Sequence, residues 1–162
     1  MDIRPLTTDD LPLIIDIAHR TWPVSYAGVL TPEQITNMLA NIYSLPNLAR
    51  EMAQGHRFWA AYAADEPIGF VSAYREENII WLRKLYILPD RQGQGIGKAL
   101  MQTALTALGP ADYHRLLVNR DNIAAQSFYK RLGFSLLSET HARMGDFDFI
   151  DFIFSRSSAA AP

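Results

Sequence analysis

Three glycines stand at alternate positions, Gly93, Gly95 and Gly97, immediately before a stretch with the apolar spacing of a helix. A glycine has no Cβ, so a ligand can approach its backbone closely, and the N–H groups of a first helical turn lie at the positive end of the helix dipole. The combination predicts a site for an anion such as a phosphate. A tight turn that merely needs positive φ angles is the alternative, and the glycine pattern alone does not separate the two.

The neighbouring residues exclude two familiar phosphate-binding patterns. A nucleotide P-loop needs a glycine where Gln92 stands and a hydroxyl side chain where Ala99 stands. A dinucleotide fingerprint needs its third glycine at Lys98 and follows the first strand of a parallel unit, whereas this turn follows a predicted antiparallel meander. If the turn binds a phosphate, it belongs to another class of site.

The composition restricts the remaining chemistry. The chain of 162 residues has no cysteine, which excludes disulfides, thiolate metal sites and cysteine nucleophiles, and we expect a reducing, cytoplasmic location. Its 4 histidines show no metal-ligand spacing, so we expect no metal. A net charge of −2 argues against a nucleic-acid partner, and no segment is typical of a secretory signal or a membrane span.

The elements that position the glycine turn follow from the spacing of the apolar residues. A short first strand precedes a helix capped by Thr8 or Asp9, and helical spacing continues to Gly55. Residues 57–88 are typical of three antiparallel strands that lead into the turn. A helix, a strand, a helix capped by Asn122 and two strands joined by a hairpin follow. The order β-α-α-β-β-β-α-β-α-β-β predicts an α/β (α+β) fold with a mixed, mostly antiparallel sheet of about seven strands.

Two segments resemble signatures of the GCN5-related N-acetyltransferases, the GNAT superfamily. The turn QGQGIG, Gln92 to Gly97, matches the pattern Gln/Arg-x-x-Gly-x-Gly/Ala. The segment NIAAQSFYKRLGF, residues 122–134, is similar to the family's Asn-x-x-Ala-x-x-Phe-Tyr-x-x-x-Gly-Phe. The resemblance covers nearly the whole chain and implies a GNAT fold in a single N-acetyltransferase domain, residues 1–155. The low-complexity end predicts a disordered tail at 156–162.

The resemblance implies acetyl-CoA as cosubstrate, with the turn around its pyrophosphate and the main chain of the fourth strand along its pantetheine arm. By resemblance the cofactor-binding residues are Leu85, Tyr86, Ile87, Gln92, Gly93, Gln94, Gly95, Ile96, Gly97, Lys98, Asn122 and Lys130. An ordinary buried strand is the alternative for 85–87. The family also has a β-bulge on this strand, which frees an N–H toward the acetyl carbonyl, and we expect a splay between the fourth and fifth strands that admits the pantetheine.

Tyr129 is the candidate general acid. Transfer of an acetyl group from a thioester to an amine requires a proton for the departing thiolate, and a phenol has an unperturbed pKa of ~10, above that of most thiols. By resemblance Tyr129 donates this proton. Its neighbours Ala125, Phe128 and Leu132 indicate that the helix packs inward nearby, so a core aromatic is the alternative. A catalytically silent acyl-CoA-binding module, which needs no proton donor, is the alternative function.

The sequence departs from its relatives at the general base. Many of them have an acid on the fourth strand where Arg83 stands, and some have a glutamate where Leu117 stands. A water chain, or a carboxylate such as Glu33 or Glu76, has to serve instead. Arg83 and the adjacent Lys84 are either solvated or paired with nearby glutamates. A cation that faces the site favours an acceptor with a carboxylate or phosphate.

The acceptor amine is the least specified part of the site. Acceptors in this family lie against the first helices, so Trp22 and Tyr26, together with Arg83, are candidate substrate-binding residues, although aromatic residues there are more often core. The helical insertion and HARMGDFDF at 141–149 resemble the bacterial branch that includes polyamine acetyltransferases. We expect a small-molecule amine or a peptide as acceptor and no membrane partner, and the resemblance implies a homodimer.

Overall fold

A computed structural model describes residues 1–160, which contain a seven-stranded sheet in the order β1-β2-β3-β4-β5-β7-β6. The strands are β1 (Asp2–Pro5), β2 (Arg57–Ala63), β3 (Glu66–Glu76), β4 (Ile79–Ile87), β5 (Tyr113–Asn119), β6 (Ser135–Met144) and β7 (Phe147–Ser157). Neighbouring strands are antiparallel except β4 and β5, which run parallel. The predicted mixed, mostly antiparallel sheet is confirmed.

Helices flank this sheet. They are α1 (Leu11–Ser25), α2 (Pro32–Ile42), α3 (Leu45–Ala53), α4 (Ile96–Leu108) and α5 (Ile123–Arg131). Three of them separate β1 from β2, where the predicted order counts two although the helical spacing continues to Gly55. None of the helices within residues 1–160 is both long enough and apolar enough to cross a membrane.

The starts of the helices follow from their capping residues. The hydroxyl of Thr31 accepts from the backbone N–H of Gln34 at the start of α2. The first helix begins differently from the prediction, because Thr7 and Asp10 form a capping box around a short 3-10 turn and α1 follows from Leu11. The predicted caps Thr8 and Asp9 lie inside that turn.

The helices pack on both faces of the sheet. On β4, Tyr86 contacts Trp22 of α1 and Tyr26 at its C-terminal cap, whereas the next residue, Ile87, faces Gly97 of α4. Because successive side chains of a strand point to opposite faces, α1 and α4 cover opposite faces. Fully buried side chains on both faces include Ile14, Phe58, Phe70, Ile80, Leu100 and Phe154.

Two irregularities open β4 beside the glycine turn. Lys84 pairs with Ser72 of β3 but Leu82 pairs with the adjacent Ala73, which leaves Arg83 as the extra residue of a β-bulge. The parallel ladder with β5 ends at Leu82 and Leu116, so within the described chain residues 83–87 have no partner on β5. The bulge implied by the resemblance and the expected splay are therefore both present.

The C-terminal end differs from the expected tail. Strand β7 continues to Ser157, and a 3-10 turn follows at Ser158–Ala160. Arg156 is buried, and its guanidinium donates to the carbonyl of Leu132 at 2.6 Å and to Nδ1 of His114 at 3.1 Å. These buried hydrogen bonds order the chain beyond 155, and only 161–162 of the expected tail lie outside the described residues.

Candidate active site

The glycine turn presents unpaired backbone N–H groups toward solvent. Gly93 and Gly95 have φ angles of 78° and 79°, and no atom lies within 4 Å of where their Cβ atoms would stand. The first bond of α4 runs from the N–H of Ala99 to the carbonyl of Gly95 at 3.1 Å. The N–H groups of residues 96–98 precede this bond and so have no partner within the helix. The turn thus has both the space and the donors that an anion requires.

A cavity of about 540 Å³ lies against this turn, and we call it the donor cavity. It is lined by most of the residues that the resemblance assigned to the cofactor, namely Leu85, Tyr86, Ile87, Gln92, Gly93, Gly95, Ile96, Gly97, Lys98 and Asn122. The side chain of Gln92 donates to the carbonyl of Ile87 at 3.2 Å and so ties the turn to the end of β4. The side-chain oxygen of Asn122 accepts from the N–H of Ala125 and caps α5.

Two predicted residues lie outside the donor cavity, and two cations that were not predicted, Arg91 and Arg131, line it. Gln94 is exposed on the turn, and the ammonium of Lys130 lies 6.0 Å from the ring centroid of Phe154. At 3.6 residues per turn, Lys130 falls on the side of α5 opposite to the lining residues, whereas the adjacent Arg131 falls on their side. Arg131 and Arg91 therefore supply positive charge at this cavity together with Lys98. The two cations are adjacent in the sequence, and only their positions around α5 indicate that Arg131, not Lys130, faces the donor cavity.

A second cavity, of about 350 Å³, lies on the other side of the same wall, and we call it the acceptor cavity. The wall is formed by residues that line both cavities, namely Leu85, Tyr86, Asn122, Ala125 and Tyr129. Of the predicted substrate residues, Tyr26 and Arg83 line the acceptor cavity. Trp22 does not, because it is only 4% exposed and packs in the core against Tyr26, Tyr43 and Tyr86.

Three phenols meet at this wall. The hydroxyls of Tyr26 and Tyr86 are 2.8 Å apart and share a hydrogen bond. Burial raises the pKa of both groups, and it also raises the pKa of Tyr129 well above the ordinary phenol value. Tyr129 is therefore protonated across the physiological range and available as a hydrogen-bond donor to both cavities.

The acceptor cavity has a single carboxylate among the described residues that line it, Asp151 of β7. Burial raises the pKa of the Asp151 carboxyl, and the positive charge of Arg83 partly opposes this shift. The base candidates Glu33 and Glu76 do not line this cavity. Sequence reasoning missed Asp151 because only the pairing of β7 with Asn119 of β5 brings it to the wall.

Lys84 is neutralised on the side of the sheet that faces α3. Its ammonium contacts the carboxylate of Glu51, and both side chains are largely buried. Burial lowers the pKa of Lys84, and the Glu51 carboxylate counteracts the shift. The predicted alternative partners, the glutamates near residue 76, are exposed at the end of β3. Lys84 therefore acts in a structural ion pair.

Comparison with known proteins identifies the family. Residues 26–152 match a family model described as an acetyltransferase (GNAT) domain. The chain belongs to the GNAT family. As a GNAT enzyme it is an acetyl-CoA-dependent N-acetyltransferase, and its similarities place it near the polyamine branch, as predicted.

The individual relatives agree with this assignment. The chain is 30% identical over 143 residues to a spermidine N(1)-acetyltransferase of Thermoplasma acidophilum, an alignment that covers 84% of this chain and 89% of the relative. It is 37% identical over 103 residues to the peptidyl-lysine N-acetyltransferase YjaB of Salmonella typhimurium, covering 62% and 66% of the two chains. The crystal structure of PaiA N-acetyltransferase from Thermoplasma acidophilum in complex with coenzyme A superposes with a TM-score of 0.81 at 28% identity, covering 96% of this chain and 98% of that one.

The donor cavity of this GNAT enzyme has the polar groups and the charge that acetyl-CoA requires. Free N–H groups and the cations of Arg91, Lys98 and Arg131 suit its phosphates, and the unpaired edge of β4 at 85–87 offers backbone partners for its pantetheine amides. Among residues 1–160 no group of three or more His, Cys, Asp or Glu side chains is arranged to hold a metal ion.

Proposed function

We propose that this enzyme transfers the acetyl group of acetyl-CoA directly to a primary amine within a ternary complex, with Tyr129 as general acid. The observation that carries the proposal is the shared wall between the donor and acceptor cavities, because Tyr129 reaches both of them. A thioester on one side and an amine on the other meet there without a covalent enzyme intermediate. The chain has no cysteine, which excludes a thioester intermediate on the enzyme.

The donor cavity holds the cosubstrate, which supplies an acetyl thioester. The backbone of the glycine turn and the N–H groups of 96–98 bind the pyrophosphate, with Arg91, Lys98 and Arg131 around it. The main chain of Leu85 to Ile87 binds the pantetheine arm along the open edge of β4. This arrangement directs the thioester toward the bulge at Arg83.

The bulge provides a donor for the carbonyl oxygen. A bulged residue leaves backbone groups outside the ladder, and at Arg83 the β5 side is open as well. An N–H held rigidly at this position stabilises the negative charge that develops on the acetyl oxygen. Lys84 and its partner Glu51 fix the next residue of β4 and so support the bulge.

The two proton transfers use Asp151 and Tyr129. The ammonium form of the acceptor meets the Asp151 carboxylate, which receives its proton and passes it to water. The free amine forms the new C–N bond as the C–S bond breaks. Tyr129 donates its phenolic proton to the leaving sulfur. The nitrogen loses its second proton as the amide forms, and this proton restores the phenol through solvent.

Relatives with named substrates indicate the class of acceptor. The two described above are named for spermidine and for peptidyl-lysine, both of which present a primary amine on an alkyl chain. The acceptor cavity accommodates such a chain, since Tyr26, Met38, Ile42 and Phe149 form its apolar sides. We therefore infer an alkyl primary amine of a small molecule or a peptide.

The test is Tyr129→Phe, with Tyr113→Phe as the matched control. Tyr113 loses the same hydroxyl but is exposed and lines neither cavity. For Tyr129→Phe we expect kcat to fall by about 10²–10⁴-fold while the Kd for acetyl-CoA stays within a factor of about three. Thiol release over a panel of polyamines, amino acids, aminoglycosides and peptides measures kcat, and calorimetry measures Kd.

Two results contradict the proposal in different ways. If Tyr129→Phe turns over at the wild-type rate, Tyr129 is not the general acid. If the protein binds acetyl-CoA but releases no thiol with any amine of the panel, the proposed transfer is wrong and a silent acyl-CoA-binding module is favoured.

A further inference from the structure

The acceptor cavity contains two charged groups without a counterion. Its charged lining residues are Arg83, Lys84, Arg143 and Asp151. Lys84 pairs with Glu51, and Arg143 lies 4.0 Å from Asp148 and donates to the carbonyl of Gly145. Within residues 1–160 neither Arg83 nor Asp151 has an ion pair or a side-chain hydrogen bond.

The β4 bulge holds the backbone of Arg83, and its side chain is exposed to solvent. Arg83 is the extra residue of the β4 bulge, one residue before the buried Lys84 and two before Leu85 of the shared wall. A guanidinium presents a planar fork of N–H donors that matches a carboxylate or a phosphate. Its unused donors therefore lie beside the place where the acceptor must enter.

Arg83 and Asp151 face the same space without touching each other. Each lines the acceptor cavity, and the positive charge of Arg83 acts on the Asp151 carboxyl, but no hydrogen bond or ion pair joins them. A ligand between them meets one positive and one negative group. A molecule with an amine and an anionic group satisfies both, whereas a polyamine pairs with Asp151 alone and is repelled by Arg83.

We propose that the acceptor is an amine that also carries an anionic group, a carboxylate or a phosphate, which Arg83 binds while Asp151 receives the ammonium. The inference rests on the proposed function, because it assigns specificity to the same acceptor cavity. It separates this enzyme from the spermidine N(1)-acetyltransferase to which it is similar, whose named substrate has no anionic group.

The test compares acceptors that differ only by the anionic group. L-lysine is compared with cadaverine, and O-phosphoethanolamine with ethanolamine, by thiol release. We expect kcat/KM to favour the anionic member of at least one pair by about tenfold or more, the value of a charge-assisted contact. Preference in the lysine pair indicates a carboxylate, and preference in the phosphoethanolamine pair indicates a phosphate.

Variants then assign the preference to Arg83. In Arg83→Gln we expect KM for the preferred anionic acceptor to rise about tenfold or more, so that the ratio of kcat/KM between this acceptor and its uncharged partner falls toward one. Arg83→Lys keeps the charge but not the fork and should give an intermediate KM. Arg20→Gln, an exposed arginine of α1 paired with Asp16, is the control for the loss of one cation.

The outcomes separate this inference from the proposed function. Equal or better activity on cadaverine and ethanolamine overturns the inference and leaves acetyl transfer intact. An anionic preference that survives in both Arg83 variants also overturns it, since another group then binds the anion. An equal loss on all four acceptors in Arg83→Gln shows that Arg83 acts on the bulge, not on the acceptor. No thiol release with any amine overturns the proposed function itself.

Discussion

At the scale of single residues, the burial of the Asp151 carboxylate has no evident benefit for stability. Because burial raises the pKa of Asp151, the folded state binds a proton more readily than the unfolded state. The contribution of Asp151 to the free energy of unfolding therefore decreases as pH rises from its unfolded-state pKa through its folded-state pKa. Replacement by a neutral isostere therefore removes a destabilising charge. A residue that is kept at a cost to stability is a candidate for function.

We predict that Asp151→Asn separates stability from activity. The melting temperature should stay constant or rise, while kcat/KM for the amine should fall about tenfold or more because the ammonium loses its partner. Thermal unfolding and thiol release at several pH values measure the two effects, and Asp16→Asn, an exposed acid on α1, is the control. A parallel loss of stability and activity would show that Asp151 is structural.

At the scale of elements, the glycine turn and the start of α4 form one unit whose backbone conformation is the binding site. Gly95 caps α4 with a φ of 79° and open space around it, so an alanine there meets no steric neighbour but strains the backbone. Gly28 has a φ of 78° and equally open surroundings, yet it lines neither cavity. The two positions form a matched pair.

We predict that Gly95→Ala and Gly28→Ala both lower the free energy of unfolding by about 1–2 kcal/mol, the cost of a left-handed alanine. Only Gly95→Ala should weaken acetyl-CoA binding, because relief of its strain rotates the N–H groups that face the phosphates. Chemical denaturation gives the stabilities and calorimetry gives the Kd values. Equal Kd values for the two variants would show that the turn does not contact the cosubstrate.

The same elements explain which parts of the site could be predicted. The glycine turn is local, so its residue types predict its conformation, and the helical spacing of α5 places Tyr129 once the family signature is recognised. Asp151 and the ion pair of Lys84 with Glu51 depend on pairing between distant segments, which periodicity does not specify. Lys130 lies away from the donor cavity for a simpler reason, since one step along α5 turns a side chain by about 100°.

At the scale of the whole molecule, one buried cation joins the sheet to the helix that carries Tyr129. Arg156 of β7 donates to His114 of β5 and to the carbonyl of Leu132, just beyond α5. His114 accepts through Nδ1 and must be neutral to do so. Burial, reinforced by the charge of Arg156, lowers the pKa of His114 to about 4.

The protonation of His114 therefore predicts how the stability of the whole fold depends on pH. Between its ordinary pKa of 6.5 and about 4, the unfolded state binds a proton that the folded state does not, so the free energy of unfolding falls as pH decreases through this range. In His114→Gln, whose amide oxygen can still accept from Arg156, the free energy of unfolding should depend less on pH than in the wild type. The control is His19→Gln, a replacement at an exposed position, which should behave as the wild type does. Urea denaturation at pH 7 and pH 4.5 measures the difference. Equal pH sensitivity of the wild type and His114→Gln would place the acid-labile contact elsewhere, with His56, whose pKa is also lowered by burial, as the next residue to replace.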